Sequence, residues 1–362
     1  MNHKSGSFIL PFSKVQFVLF CTLGIALWRN FYYNKSMKKQ YSKKYIIGTG
    51  IGLQDVDGLK NSSYFLNETN RYLKGEISLD ELDRIINSYY KNKPRSEDRS
   101  DEADIIAVRI AQIISEDSFT FSVGQLMSIH RTLFEGVLDH PGELRPYNFT
   151  KKEWVLDGAS VTYGDYRELE ATLQYDFEQE KKFPYKGLSI NETIEHIAIF
   201  IANLWQIHVF EEGNTRTTAV FLIKYLRSLG FDVTNDTFAK NAWYFRNSLV
   251  RANYTNISKG IYEDRSYLIK FLRNLLLNEN NQLKNRNLHI NPVSPEPTSS
   301  RDSKILTILS NNPHATTVEL ADNTSASVRT VKSILKTMVT NKVIKRVNGK
   351  RYGYWIIMDK NK

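Results

Sequence analysis

A short joint between two apolar helical runs, Ile207 to Phe221, constrains the fold of this 362-residue chain more than any other stretch. It reads IHVFEEGNTRTTAVF and brings an imidazole, two carboxylates, a Gly-Asn pair and an arginine into one loop. Asn214 and Thr215 are favourable N-terminal caps, so the pattern predicts a helix that continues through Leu226. The backbone N–H groups at such a helix start, behind Gly213, suit an anion and especially a phosphate.

Two ionisable side chains in the joint add chemistry to this phosphate site. Glu212 offers hard carboxylate oxygens, which suit a Mg²⁺ ion that would share the phosphate. His208, four residues earlier, has the pKa range of a general base. The joint therefore predicts a place where a phosphate, a metal ion and a base meet.

The same stretch resembles the signature of the Fic (filamentation induced by cyclic AMP) family, H-x-F-x-[D/E]-G-N-x-R-x-x-R. The final arginine of the signature is missing, because Ala219 stands there, and Thr215 replaces a glycine seen in many members. A chance helix-loop-helix joint is the alternative, but six specified positions at fixed spacing rarely coincide. The matching positions are His208, Phe210, Glu212, Gly213, Asn214 and Arg216.

The resemblance covers about residues 46–290 and implies a mainly α fold, a Fic helical bundle with a β-hairpin flap. It also implies protein adenylyl transfer, with ATP as the donor substrate and Mg²⁺ as the metal. His208 would take the proton from a Ser, Thr or Tyr hydroxyl of a target protein, and Glu212 would bind Mg²⁺. The phosphates would lie over Gly213, Asn214 and Thr215, with Arg216 on the β- or γ-phosphate. Such residues mainly supply positioning and charge stabilisation.

A β-hairpin is predicted before the joint, where Asp157-Gly158 is flanked by the β-formers of Trp154–Tyr163. Fic proteins carry a hairpin flap beside the active site, and the flap is assigned here to about Val155–Tyr163. It would align an extended target segment by main-chain pairing, which needs no fixed target sequence. An ordinary surface hairpin is the alternative. The residues assigned to target binding are Val161, Thr162 and Tyr163.

Two short amphipathic helices are predicted over Tyr64 to Tyr90, and they resemble the antitoxin-like module found with some Fic proteins. In that module a Ser/Thr-x-x-x-Glu-Gly segment places a glutamate against the second arginine of the Fic motif and blocks productive ATP binding. The candidate inhibitory residue here is Asp57, before Gly58, with Leu53 at the Ser/Thr position. Because Ala219 replaces the arginine, this ion pair is degraded on both sides. The pattern predicts an enzyme with loosened inhibition, or one inhibited by other means.

Two histidines and two arginines outside the joint have structural interpretations. His130 and His196 fall among apolar helical positions and are interpreted as packed side chains. Arg246 and Arg251 lie in FRNSLVRANY, on a further predicted helix. Surface or interhelical ion pairing is favoured for them over replacement of the missing motif arginine.

The net charge of +10 is concentrated at the two ends of the chain. Residues 1–45 carry +8 and residues 302–362 carry +7, so the remainder is mildly acidic. The apolar run Val15 to Trp28 is short for a membrane span. Translation from Met37 is weighed about evenly against a membrane tether through residues 8–28. The single cysteine, Cys21, excludes an internal disulfide framework and suits a reducing cytosol, so a cytoplasmic protein is expected.

A winged-helix pattern is predicted at the C-terminus, with three short helices followed by two strands that turn at Asn348-Gly349. Basic side chains lie along the third helix and around the hairpin turn. This charge favours DNA binding, although winged helices also bind proteins. The candidate DNA contacts are Arg329, Lys332, Lys336 and Arg351.

These patterns divide the chain into five parts. They are a basic and apolar leader (1–45), antitoxin-like helices (46–93), the Fic catalytic domain (94–288), a linker (289–301) and the winged-helix domain (302–362). Protein adenylyltransferase is the favoured function. The alternatives are a transcriptional regulator whose Fic part senses a nucleotide or partner, and an enzyme that uses another donor such as UTP or a phosphocholine carrier. The expected partners are a target protein and DNA, and homodimer formation is left open.

Overall fold

Helices dominate the computed structural model, which describes residues 41–291, 300–340, 343–347 and 353–358. The predicted mainly α architecture is confirmed, and the described strands form one two-stranded hairpin near the C-terminus. Among the described residues, no helix is long and apolar enough to cross a membrane. Several sequence-based predictions fall on residues outside the described ranges, namely Cys21, Met37, the apolar run at 8–28, the turn Asn348-Gly349 and Arg351.

Three helices and a 3-10 turn form the N-terminal unit. They are α1 (Lys43–Gly52), the 3-10 turn (Leu53–Asp57), α2 (Ser63–Lys74) and α3 (Leu79–Tyr90). Ser62 caps α2, and Ser78 caps α3 through a capping box with Glu81. The two predicted apolar stripes are confirmed, since Phe65 and Leu82 are fully buried.

Helix α1 crosses the rest of the core at very short range. A Cβ at Gly50 would lie 2.2 Å from the carbonyl oxygen of Ala107, and one at Gly52 would lie 2.4 Å from that of Ala239. Only glycine allows this approach. The glycines of α1 therefore dock the N-terminal unit, with its 3-10 turn, against the central helices.

Seven further helices build the central bundle. They are α4 (Ser100–Ser115), α5 (Val123–Phe134), α6 (Leu169–Lys182), α7 (Ile190–Ile207), α8 (Asn214–Ser228), α9 (Thr237–Ala252) and α10 (Ser266–Leu277). Helix α8 is buried along nearly its whole length, because α4, α5 and α7 all pack against it. The joint between α7 and α8 thus lies at the centre of the bundle.

The predicted β-hairpin at Val155–Tyr163 is wrong. Asp157 and Gly158 do form a turn, with left-handed φ values of 54° and 80°. The flanking residues form no strands, because side chains such as Val155 and Val161 pack into the helical core instead of alternating between core and solvent. The segment folds as a 3-10 turn over Trp154–Leu156 followed by an irregular chain.

A separate small core holds the C-terminal unit together. Its elements are α11 (Ser300–Asn311), α12 (Thr317–Thr324), α13 (Val328–Thr340), β1 (Ile344–Val347) and β2 (Tyr354–Ile357). The strands are antiparallel, with Ile344 opposite Ile357. Thr316 and Ser327 accept N–H groups at the starts of α12 and α13, which confirms them as N-caps.

Candidate active site

His208 follows directly on α7 and turns the chain out of the helix with a left-handed φ of 53°. The buried guanidinium of Arg145 holds this turn, since its Nε donates to the carbonyl oxygen of His208 at 2.7 Å. Its Nη groups donate to the carbonyls of Tyr147 and Gly164. A left-handed non-glycine residue costs about 1–2 kcal/mol. These charge-assisted bonds are strong enough to offset that cost.

The imidazole of His208 is oriented with one nitrogen free. Nδ1 lies 3.2 Å from the carbonyl oxygen of Trp205 and must carry the proton, because a carbonyl only accepts. Nε2 is buried and has no hydrogen-bond partner among the described residues. A buried polar atom without a partner costs about 1–3 kcal/mol. A buried atom of this kind needs an explanation, and a reactive role provides one.

Burial, helped by the nearby ammonium of Lys151, lowers the pKa of His208 well below its usual range. The imidazole is therefore neutral at pH 7 and keeps a lone pair on Nε2. The residue is only 3 % exposed, and the ring of Tyr163 stacks on it with 4.1 Å between centroids. Nε2 is therefore closed to solvent in this conformation.

The first turn of α8 has no side-chain cap, so the prediction that Asn214 and Thr215 cap it is wrong. The side chain of Asn214 folds back and bonds both backbone groups of Phe210, at 3.0 and 2.7 Å. Thr215 Oγ1 accepts a hydrogen bond from Trp205 Nε1 at 2.9 Å. Both side chains stabilise the loop instead, which leaves the first N–H groups of the helix available to an anion.

Gly213 lets the loop lie directly on α5. Its φ is +73°, and an added Cβ would lie 2.4 Å from the ring of Phe134. His130 supports the same loop, since Nε2 donates to the carbonyl of Glu212 at 3.1 Å while Nδ1 accepts from Gly142 N–H at 2.7 Å. Burial lowers the pKa of His130 to about 4, so the ring is neutral as this pattern requires. Its predicted structural role is confirmed.

Glu212 points out of the core, with its side chain 52 % exposed. Its Oε2 lies 3.2 Å from Arg99 Nη2, and its Oε1 has no partner in the described part of the chain. Arg99 also binds Glu102 through Nε and Nη2, each at 2.9 Å. The site thus presents one accessible carboxylate beside an uncapped helix start and a neutral histidine.

Two segments of the chain match known protein families. Residues 120–226, which include the whole joint, match the Fic/DOC family, and residues 299–345 match a winged helix-turn-helix DNA-binding family. The chain contains a Fic domain and a winged helix-turn-helix domain.

Relatives of the Fic domain are distant. Protein adenylyltransferase VbhT of Bartonella schoenbuchensis is 25% identical over 164 residues, which is 40% of this chain and 33% of that protein. The chain thus matches about a third of the length of that curated relative. A crystal structure of a Fic family protein from Desulfovibrio desulfuricans G20 covers 99% of this chain at 10% identity, with a TM-score of 0.41.

Arg216 of the Fic domain is fully buried and engaged on three sides. Nη2 donates to Glu102 Oε1 at 2.8 Å, and Nη1 donates to Gln54 Oε1 at 3.2 Å. Asp57 Oδ2 lies 2.9 Å from Nε as an ion contact without hydrogen-bond alignment. Position 219 offers no arginine, as the sequence predicts, and Asp57 pairs with Arg216 instead. The N-terminal 3-10 turn packs on the start of α8, where the arginine within reach is Arg216.

Two further cations approach the Fic site from outside the joint. The backbone N–H of Lys151 donates to Ser160 Oγ, whereas its ammonium makes no hydrogen bond to the described residues. Burial lowers the pKa of this ammonium, and the carboxylates of Asp57 and Glu212 act in the opposite direction. Arg246 forms a bidentate ion pair with the buried carboxylate of Glu153, at 2.6 and 3.0 Å. Ion pairing, as favoured for Arg246, is thereby confirmed, and its partner Glu153 lies just before the 3-10 turn Trp154–Leu156.

The structure separates the three residues assigned to target binding. The ring of Tyr163 stacks on the imidazole of His208. Val161 is buried in the bundle, and Thr162 is exposed while its carbonyl accepts from Gln206 Nε2 at 3.1 Å. This segment therefore offers no strand edge in this conformation, and Tyr163 is the member closest to the chemistry.

Sequence reasoning missed four charged residues of the site. No local signal marks them, apart from the i, i+3 spacing of Arg99 and Glu102 at a helix start. Arg99, Glu102 and Arg145 each have a partner in the site that lies 63 to 114 positions away along the chain. The missed residues are Arg99, Glu102, Arg145 and Lys151.

The winged helix-turn-helix domain carries its predicted basic face. Arg329, Lys332 and Lys336 are exposed on α13. Val331, Leu335 and Met338 on the opposite side are buried in the small core. The fourth candidate DNA contact, Arg351, lies outside the described residues.

Proposed function

We propose that the Fic domain transfers an adenylyl group from ATP to a Ser, Thr or Tyr hydroxyl of a target protein. The hydroxyl oxygen attacks the α-phosphorus, the bond to the β-phosphate breaks, and pyrophosphate leaves. His208 Nε2 takes the hydroxyl proton. The observation that carries this proposal is the buried, unpartnered Nε2 of a neutral histidine next to an uncapped helix start.

The neighbouring residues supply positioning and charge. The backbone N–H groups from Gly213 to Thr215 would receive the phosphates, and Arg216 would bind the β- or γ-phosphate once released from Asp57. Trp205 orients the imidazole through its carbonyl, so that Nε2 and not Nδ1 acts as the base. The imidazole and the backbone N–H groups are held in place before the substrate arrives, and such preorganisation is the main source of this kind of catalysis.

Glu212 fits a magnesium ligand. It is half exposed, with one carboxylate oxygen free, and the described residues contain no group of three or more His, Cys, Asp or Glu that would form an all-protein cage. Mg²⁺ is commonly held by one or two carboxylates together with substrate phosphates. When bound, the ion would neutralise phosphate charge and stabilise the leaving pyrophosphate.

A labelling experiment with the full-length protein tests the reaction. Because Arg216 is engaged, wild type and Asp57→Ala are both incubated with cell lysate and Mg²⁺. Label that depends on the added protein should come from α-³²P-ATP and not from γ-³²P-ATP, since the γ-phosphate leaves with pyrophosphate. Protein-dependent label from γ-³²P-ATP, above the kinase background of the lysate alone, or from α-labelled UTP in place of ATP, would contradict adenylyl transfer. If no donor labels protein, the result would favour the alternative function, a transcriptional regulator whose Fic domain senses a nucleotide.

We also propose that the winged helix-turn-helix domain binds DNA through α13. The three exposed basic side chains lie on one face of that helix, as phosphate and groove contacts require. The match to a DNA-binding winged helix-turn-helix family supports the same conclusion.

The salt dependence of DNA binding should report these contacts. Replacing Arg329, Lys332 and Lys336 together by alanine should weaken binding to mixed-sequence duplex DNA and reduce the slope of log K against log salt by about 3. Fluorescence anisotropy at several salt concentrations measures this slope. Lys304→Ala is the control, because Lys304 is exposed on α11, outside that face. Equal slopes for the triple variant and the control would contradict DNA binding through α13.

A further inference from the structure

The Fic motif lacks free cations for the terminal phosphates of a nucleotide. Ala219 stands at the position of the motif's last arginine and is fully buried. Arg216 is also buried, and all three of its guanidinium nitrogens face protein groups from Asp57, Glu102 and Gln54. A nucleotide triphosphate carries several negative charges, so the site needs a cation from elsewhere in the fold.

Arg99 binds Glu102, the same carboxylate that binds Arg216. Glu102 accepts from both guanidinium groups, so Arg99 and Arg216 form a pair of cations around one anion. Arg99 differs in being 43 % exposed, with its Nη1 free of partners in the described part of the chain. Its second carboxylate is the exposed Glu212, at 3.2 Å. Arg99 is thus the arginine of the pair that a ligand can reach.

The backbone of Arg99 is held in an unusual conformation. Its φ of 54° and ψ of 28° are left-handed, although it is the N-cap of α4, where an extended residue with a capping side chain is usual. Arg99 supplies no capping side chain, and the N–H groups of Ser100 and Asp101 donate instead to Asp98 Oδ1 and Ser96 Oγ, at 3.1 and 3.2 Å. A left-handed backbone is unfavourable for arginine, and such strain is concentrated at functional sites. In this backbone conformation the Arg99 side chain contacts both Glu102 and Glu212.

We propose that Arg99 binds the terminal phosphates of the nucleotide donor and replaces the arginine that is absent at position 219. The proposal rests on the proposed function, because it assigns a residue to the same donor site. If Glu212 held a metal ion, Arg99 would keep Glu102 as its anionic partner and would no longer pair with Glu212. The planar fork of its guanidinium is then available to two phosphate oxygens, while Glu102 keeps it in place.

Nucleotide affinity separates this role from catalysis and from folding. Binding of ATP and of AMP is measured by titration calorimetry with Mg²⁺, in a His208→Ala parent that binds without turnover. Adding Arg99→Ala should weaken ATP binding by about 10- to 100-fold and leave AMP affinity within about twofold, because AMP lacks the phosphates that Arg99 contacts. Arg99→Lys, which keeps the charge and loses the fork, should give an intermediate ATP affinity.

Arg84→Ala is the matched control, since Arg84 is an exposed arginine on α3 that bonds only the carbonyl of Asp80. It should change neither affinity. Unchanged ATP affinity in Arg99→Ala overturns the proposal. A parallel loss of ATP and AMP binding also overturns it, because that result indicates a structural defect. If the parent binds no ATP, the proposed function fails as well, whereas ATP binding that is insensitive to Arg99 removes only this role.

Discussion

Replacement of His208 by alanine should reduce protein labelling from α-³²P-ATP by about 10²- to 10⁴-fold, the range expected when a general base is removed. The neighbouring His130 cannot replace it, because both of its ring nitrogens already have backbone partners. Residual labelling would come from the phosphate site alone, which still positions the donor. The measurement is the ratio of the initial labelling rates with and without the His208 substitution. The Asp57→Ala background is used for both if wild type is slow.

His140→Ala is the control for this substitution. His140 belongs to the same domain, but its side chain is 60% exposed and its ion-pair partner is the exposed Glu143. Its loss should leave the rate unchanged. The His208→Ala variant should also keep its ATP affinity, because the imidazole bonds to protein and not to the donor. Equal labelling by the two alanine variants would show that His208 is not the base.

The pH profile gives an independent readout of the same residue. Since burial lowers the pKa of His208, the imidazole remains an unprotonated base over the neutral range. The labelling rate should therefore stay level from pH 8 to about 6.5, where an ordinary histidine would be half protonated. Activity should fall only at more acidic pH. The same shift makes the folded state lose stability in acid, because the unfolded chain binds a proton that the folded chain excludes, so folding is checked at each pH.

The motif predicts the centre of the site well because its residues are close in sequence. His208, Glu212 and the Gly213 turn occupy one loop, and their relative positions follow from local backbone geometry. The helix after the loop and its buried face are also confirmed, since an apolar period reports burial directly. Caps are less predictable. Asn214 has the right chemistry for a cap, but tertiary packing directs its amide to Phe210.

The failures of the sequence interpretation have physical causes in packing. Helix α1, Lys43–Gly52, is not among the predicted helices. Glycines usually weaken a helix, whereas here they permit contact with Ala107 and Ala239. The Asp157-Gly158 turn is real, but its flanking apolar residues face one core and form no strand pair. Ion pairs between distant segments leave no period or spacing in the sequence.

Replacement of Asp57 by alanine should increase the labelling rate by about tenfold or more. Asp57 and Gln54 hold Arg216 toward the N-terminal unit, so the arginine is not directed at a phosphate. Removing the carboxylate leaves Glu102 as the one charged partner of Arg216 among the described residues, so the guanidinium can turn toward the donor. The expected change is in the apparent ATP affinity and the rate together, measured as initial labelling rates over a range of ATP concentrations.

Asp55→Ala is a matched control from the same 3-10 turn. Asp55 pairs with Lys60 at the surface and does not contact Arg216. It should leave the rate unchanged. The double variant Asp57→Ala/His208→Ala should lose the gain, which shows that the extra label arises at this site. A rate that is unchanged or reduced in Asp57→Ala, with the control normal, would show that Asp57 positions Arg216 for catalysis.

Stability distinguishes release of Arg216 from general loosening. Breaking a buried ion pair costs about 3–5 kcal/mol when the remaining charge has no other partner. Arg216 keeps Glu102 and Gln54, and Asp57 is partly exposed, so the loss in Asp57→Ala should be smaller. Glu102→Ala removes the fully buried partner shared with Arg99 and should lower the melting temperature more. If release of Arg216 activates the enzyme, Asp57→Ala should raise the labelling rate with little loss of stability. Glu102→Ala should lower both the labelling rate and the melting temperature.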